Sequence, residues 1–217
     1  AWVVQLGPEA QLAWAAQLPT ALRLRGYSVL PAPQKVVLQP QDLDFDASWT
    51  YRASSVGPTH IAIRSLLKDL EEFHALVLKP ASASSRNVVR LTIADGTVKP
   101  PSSGDTAGQA YLLKIAPGMI EITGNGDPGL LYGVETLLQM LKSGPGGRLQ
   151  LPIGTIEDWP DHALRFLHWD TKHHQDRIET LKRFLDLSAR FKINRIGFEL
   201  EDRFEYPSHP IIGAPGA

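Results

Sequence analysis

The chain of 217 residues contains no cysteine and only two methionines. Disulfides and thiolate-held metal centres are therefore excluded. A Cys-free chain is tolerated in reducing and oxidising compartments alike, so this absence does not place the protein in either. No apolar run approaches the roughly 18 residues of a membrane-spanning helix, and no membrane partner is expected. Charge of one sign is also lacking: the net charge is −1, which gives no electrostatic footprint for nucleic acid. The seven histidines contain no His-Glu-x-x-His, so a zinc protease has no support. Neither a metal nor a cofactor is expected. Ala1-Trp2-Val3-Val4-Gln5 lacks an initiator Met and a basic, then apolar leader. This start fits a processed secreted or periplasmic protein, and equally a chain cut from a longer one.

What is present is globular. Hydrophobic residues make up 43% and charged residues 21%, enough to bury a core in one large domain or one and a half smaller ones. Residues 1–27 form an Ala/Leu-rich N-terminal segment cut by Pro8 and Pro19, which predicts one short helix. Pro31, Pro33 and Pro40 flank Lys35–Leu38, a short strand near a sheet edge. Ile63, Leu66, Leu67, Leu70 and Phe73 recur at helical spacing across Ile61–Leu76. Val88–Ala94 reads as a strand stopped by Asp95-Gly96, and Val98–Gly108 as a loop. Ala110–Ala116 and Met119–Thr123 form a hairpin about Pro117-Gly118. Asp127 is expected to cap a helix with Pro128 at its first position. Leu130, Leu131, Val134, Leu137, Leu138 and Leu141 give that helix its buried stripe, and Gly144 is expected to stop it. Strands and helices in this order predict an α+β domain over residues 28–155. Gly144–Gly147 and Pro152–Pro160 read as connector.

The pattern then changes. Ala163–Trp169 reads as a strand covered on both faces. An amphipathic helix follows over Asp176–Arg190, with Ile178, Leu181, Phe184, Leu185 and Ser188 on one side. A second strand, Arg195–Leu200, begins about thirty residues after the first, a normal length for one βαβ unit. One such unit cannot close a barrel. Residues 156–217 are therefore expected to be the incomplete first part of a (β/α)₈ TIM barrel, with contact to the missing barrel part or self-association covering its faces.

Two motifs have ordinary readings. Gly124-Asn125-Gly126-Asp127-Pro128-Gly129 matches G-x-G-x-x-G between a strand and a helix. Pro128 removes an amide, and Asp127 sets a negative charge where a phosphate would lie, so a capped turn is the better reading. His168, Asp170, His173 and His174 cluster at one strand end and read as a hydrogen-bonded polar cluster rather than a metal site. Asp170 and the Glu201-Asp202 pair lie at the C-terminal ends of candidate barrel strands, the end that carries the chemistry in parallel barrels. The alternative is that these acids cap the following helices or pair with Arg203.

Three blocks carry a family resemblance. The first is Ala110–Ile115 and Ile120-Glu121-Ile122, followed by Gly129–Gln139. The second is Ile156-Glu157-Asp158-Trp159-Pro160 with Arg165 and Asp170. The third is Lys192-Ile193-Asn194 leading to Leu200 and Asp202. Together they resemble family 20 glycoside hydrolases, the β-N-acetylhexosaminidases. The resemblance implies a non-catalytic, zincin-like α+β domain followed by a TIM barrel. It also implies hydrolysis of terminal N-acetylhexosamine, in which the sugar's own acetamido oxygen attacks the anomeric carbon. Arg165 matches an arginine that binds hydroxyls of the terminal sugar, where a planar fork suits paired acceptors. Asp202 matches an aspartate in the polar network behind the catalytic acid.

The chain departs from the pattern at Phe166 after Arg165, at His173 in place of an arginine, and at Gly197-Phe198-Glu199 in place of a His-x-His. Glu199 and His173 are thus weaker substrate-binding candidates beside Arg165, Asp170 and Asp202. Arg165, Asp170 and Asp202 are expected on one sugar-facing rim. The family's catalytic Asp-Glu pair is absent, so no catalytic residue is assigned within this chain, and the chain alone is expected to be inactive. A glycan- or protein-interaction module, or the start of another barrel glycosidase such as an α-glucuronidase, are the alternatives.

Overall fold

The structure is a computed structural model that describes residues 20–101, 104, 106–170, 176–199, 208–209 and 211. The chain divides into two compact units, Ala1–Asp161 and His162–Ala217. The first contains β1 (Lys35–Phe45), β2 (Trp49–Ala53), β3 (Lys79–Pro80), β4 (Asn87–Ile93), β5 (Tyr111–Ala116), β6 (Met119–Gly124), β7 (Lys142–Ser143) and β8 (Leu149–Asp158). Its helices are Thr20–Leu24, Ile61–His74 and Asp127–Met140. The strands form one mixed sheet in the order β1-β8-β5-β6-β4-β2-β3, with β7 on β8. The pairs β1–β8, β8–β5 and β5–β6 are antiparallel, whereas β6–β4, β4–β2 and β2–β3 are parallel.

The hairpin β5–β6 forms where the alternation requires it. Gly118 takes φ +77° at its turn, a conformation that glycine adopts without strain. Tyr111, Leu113 and Ile115 alternate inward with Ile120 and Ile122 opposite, all buried. On this face lie the two long helices, side by side. Ala62, Ile63, Leu66 and Leu70 of one and Leu130, Val134 and Leu137 of the other enter the core.

Both helix ends have physical causes. His60 Nδ1 accepts from the Ala62 amide at 3.2 Å, filling one of the open donors of the first turn. Ala75 turns left-handed at φ 51°, and the amides of Ala75 and Leu76 return to the carbonyls of Glu71 and Leu70, a Schellman-type stop. The helix is two residues shorter than expected, and Phe73 is half exposed rather than in the buried stripe. The cap of the next helix is Gly126, with Asp127 already helical, and its last residue is Met140 rather than one before Gly144.

Three further expectations change. Pro152–Pro160 is no connector: Leu149–Asp158 is a ten-residue interior strand between β1 and β5. Gly154 allows this, since a Cβ there would overlap the Val37 carbonyl of β1. β1 does not end at Pro40 but runs through it at the sheet edge, where the register shifts between Leu38 and Asp42. Such an irregularity is where a strand tolerates a residue without an amide. The predicted break at 155/156 therefore falls inside β8, and the compact units part after Asp161.

The second unit is a parallel pair, β9 (Phe166–Asp170) and β10 (Arg195–Glu199), joined through the Ile178–Arg190 helix. Among the described residues the helix packs on one face of the pair. Trp169 meets Phe184 of the helix edge-on at 4.0 Å between ring centroids. On the other face Phe166 is 53% exposed, so β9 is not covered on both sides among the described residues.

Candidate functional site

Strand alternation sorts the second unit by face. Leu167 and Trp169 point toward the helix side with Ile196 and Phe198, and Phe166, His168 and Asp170 lie on the open side with Arg195, Gly197 and Glu199. Trp169 is pinned by its indole N–H, which donates to Asp176 Oδ2 at 3.1 Å. Gly197 makes room for Phe166, whose ring would collide with any Cβ at that position.

At the C-terminal end of the open face Asp170 and Glu199 stand in register on neighbouring strands. Two carboxylates in directly opposite positions repel. His168, one alternation back on β9, meets Glu199 with Nε2 2.9 Å from Oε2. The imidazole thus fixes one of the two acids. His168 and Asp170 share a face, as alternation predicted, but the histidine serves a carboxylate. Among the described residues no group of three or more His, Asp or Glu is placed to hold a metal ion. The strand ends present carboxylate oxygens, which accept hydrogen bonds from hydroxyl donors.

Arg165 lies elsewhere. It precedes β9, with its Nε donating to the Lys192 carbonyl at 2.6 Å and Nη1 to the His162 carbonyl at 2.7 Å. Five residue steps of extended chain separate its Cα from that of Asp170, or about 16 Å. Arg165 thus lies just before the start of β9 and Asp170 at its end. Asp202, His173, His174 and Glu201 lie outside the described residues.

Sequence reasoning named Asn194 within a block but gave it no task. Its Oδ1 accepts from the Arg165 amide at 2.9 Å and its Nδ2 donates to the Ala163 carbonyl at 2.7 Å. It thereby ties the approach to β9 to the approach to β10. Lys192, left-handed at φ 60°, turns the chain from helix to β10 just before it.

In the first unit Asp158, from the Ile156–Pro160 block, is 6% exposed and structural. Tyr111 Oη donates to Asp158 Oδ2 at 2.8 Å and lies 2.5 Å from Thr136 Oγ1. The Gln34 amide donates to Asp158 Oδ1 at 3.2 Å. Burial, reinforced by the Asp158 charge, holds the Tyr111 hydroxyl well above the ordinary tyrosine pKa. The same logic explains the glycine-rich motif. A Cβ on Gly124 would overlap the Leu130 amide, and one on Gly129 the Ala110 carbonyl. Asn125 is spent on the loop, donating to the carbonyls of Val98 and Ala107. These glycines serve close packing of strand, loop and helix.

Comparison with known proteins gives these features a family. A family model described as "Glycosyl hydrolase family 20, domain 2" matches residues 26–159. A β-hexosaminidase of Akkermansia muciniphila is 32% identical over 105 residues, covering 46% of this chain and 21% of that protein. A β-N-acetylhexosaminidase of Cellulomonas fimi is 31% identical over 128 residues, covering 57% and 24%. The chain thus spans about a quarter or less of these curated relatives. Among solved structures, the Streptomyces plicatus N-acetyl-β-hexosaminidase in complex with Thio-NAglucal superposes with a TM-score of 0.66 at 25% identity, covering 84% of this chain and 37% of that one. A Vibrio harveyi exo-β-N-acetylglucosaminidase in complex with N-acetylglucosamine shares the fold at a TM-score of 0.68 and 23% identity, covering 84% and 27%. With the family model spanning more than half of its residues, the chain belongs to glycosyl hydrolase family 20.

Proposed function

We propose that this chain is the N-terminal portion of an enzyme that removes terminal N-acetylhexosamine residues from glycans. Residues up to Asp161 act as its non-catalytic, zincin-like α+β domain, and the β9–helix–β10 unit as the first βαβ of a (β/α)₈ barrel. The observation that carries this reading is the family match over residues 26–159, followed by a parallel strand pair with Asp170 and Glu199 at its C-terminal ends. The reaction is substrate-assisted: the acetamido oxygen of the sugar attacks the anomeric carbon while a glutamate outside this chain protonates the leaving group.

Asp170 and Glu199 then accept hydrogen bonds from sugar hydroxyls, with His173 as a weaker candidate for such a contact, and Asp202 supports the polar network behind the acid. Arg165 contributes by holding the two strand starts through the carbonyls of Lys192 and His162. Its family-implied contact with sugar hydroxyls is the competing role. Arg165→Lys in the full-length enzyme separates them. A direct sugar contact predicts a raised KM, and a strand anchor predicts a lower unfolding midpoint with KM unchanged. The reading as a whole is tested by release of nitrophenol from a nitrophenyl N-acetylglucosaminide by the full-length protein, with the 217-residue chain alone inactive.

A further inference from the structure

The sheet of the first unit has a second face, turned away from its helices. Register places Arg52 of β2, Arg90 of β4, Glu121 of β6 and Lys114 of β5 side by side in one row across four strands. Thr155 of β8 extends the row. One row over lies Lys79 beside Thr50, and on the other side are Thr92 and Thr123. The acids of this face are engaged: Glu121 pairs with Arg90 at 2.9 Å and Glu157 with Lys35 at 3.2 Å. Arg52, Lys79 and Lys114 are exposed. Arg52 donates one guanidinium N–H to the Ser82 carbonyl at 2.9 Å, and no carboxylate pairs with any of the three among the described residues. An overall charge of −1 thus conceals one face with a clear cationic excess.

We infer that this open face of the sheet binds an acidic glycan, a chain carrying sulfate or carboxylate groups. Charge complementarity selects the sign of the occupant. Lys114 and Arg52 are three strands apart, about 14 Å, so the row suits an extended anionic chain rather than a single ion. Thr92, Thr123 and Thr155 beside the row offer hydroxyls to a polyhydroxylated ligand, whereas Thr50 donates its hydroxyl to the Asn87 carbonyl. No aromatic residue occupies the positions of this row, and Trp159 beside it lies under Lys35, so the row itself lacks the successive stacking platforms with which proteins hold single-stranded nucleic acid. The inference is drawn from the first unit alone and does not rest on the proposed hydrolysis.

The test uses the 217-residue chain and calorimetric titration with heparin-derived oligosaccharide, polygalacturonate oligosaccharide and a neutral chitin oligosaccharide. Saturable binding is expected for the acidic ligands alone, weakening as salt screens the exposed charges. Arg52→Glu with Lys114→Glu should weaken it about tenfold, and the milder Lys114→Gln severalfold. Lys99→Glu, which carries the same charge change as either single Glu substitution but lies in an exposed loop, should leave it intact. Circular dichroism checks that each variant is folded. Sulfated ligand alone, or carboxylated ligand alone, would identify which acidic group is read. No saturable binding, equal loss with Lys99→Glu, or equal affinity for single-stranded DNA would overturn the inference.

Discussion

Replacing Tyr111 by Phe removes one oxygen from a buried polar site. The phenol is 1% exposed and joins β5, the end of β8 and the Asp127–Met140 helix through Asp158 and Thr136. The bond to the Asp158 carboxylate involves a charged acceptor, for which truncation costs about 1.5–3 kcal/mol, and the neutral bond to Thr136 adds about 1 kcal/mol. The ring itself is kept, so no cavity term enters. The expected loss is therefore about 3 kcal/mol, measured as a lower urea midpoint at unchanged slope. Because the contact is direct, Tyr111→Phe and Asp158→Asn should be non-additive, with a coupling of at least about 0.5 kcal/mol. A loss under about 0.5 kcal/mol, or strict additivity, would refute the claim that this hydroxyl locks the last strand to the helix. The variant also carries a pH signature. The folded hydroxyl keeps its proton well above the ordinary tyrosine pKa, whereas the unfolded chain releases it near about 10. The folded state then binds more protons, so stability is intact below that pH and falls as pH rises above it. Tyr111→Phe should flatten that alkaline decline; Tyr27, raised mainly by burial and Asp42, retains part of it.

Gly129→Ala should cost more than about 2 kcal/mol or prevent folding, since the new methyl meets the Ala110 backbone carbonyl, while Gly57→Ala, with open space around it, should be nearly neutral by the same urea titration. His60→Ala should destabilise by about 1 kcal/mol through loss of the cap on Ala62 and of the 3.0 Å contact with Asp127, and His60→Asn should recover part of it in thermal unfolding. Asn194→Ala should speed amide exchange across both β9 and β10, because one side chain ties the two strand starts; exchange unchanged in β9 would contradict that role.

Much of this architecture was legible because local signals and packing agree. The spacing of Ile63, Leu66 and Leu70 is a helix stripe, and those residues are buried. Pro117-Gly118 between alternating runs is a hairpin, and it is one. The misses share a cause. Pro152 and Gly154 made β8 resemble a connector, yet Gly154 is needed where β1 passes close by. The parallel pairing of β2, β4 and β6 joins segments distant in sequence, which no local pattern announces. At the candidate site, alternation correctly put His168 and Asp170 on one face. It could not show that Arg165 lies before the strand, because a strand's first residue depends on where Asn194 anchors it. The Glu199–His168 pair was equally hidden, since register between β9 and β10 sets it.

The proposed reading is that this chain supplies the N-terminal part of a longer N-acetylhexosaminidase. Its most direct test is nitrophenol release from a nitrophenyl N-acetylglucosaminide, measured side by side for the full-length protein, its Asp170→Asn variant and the 217-residue chain. The account predicts turnover by the full-length protein, a marked fall in kcat/KM for the variant, and none for the chain alone. Turnover by the chain alone, or a full-length protein that cleaves a glucuronide and leaves the N-acetylglucosaminide intact, would contradict it.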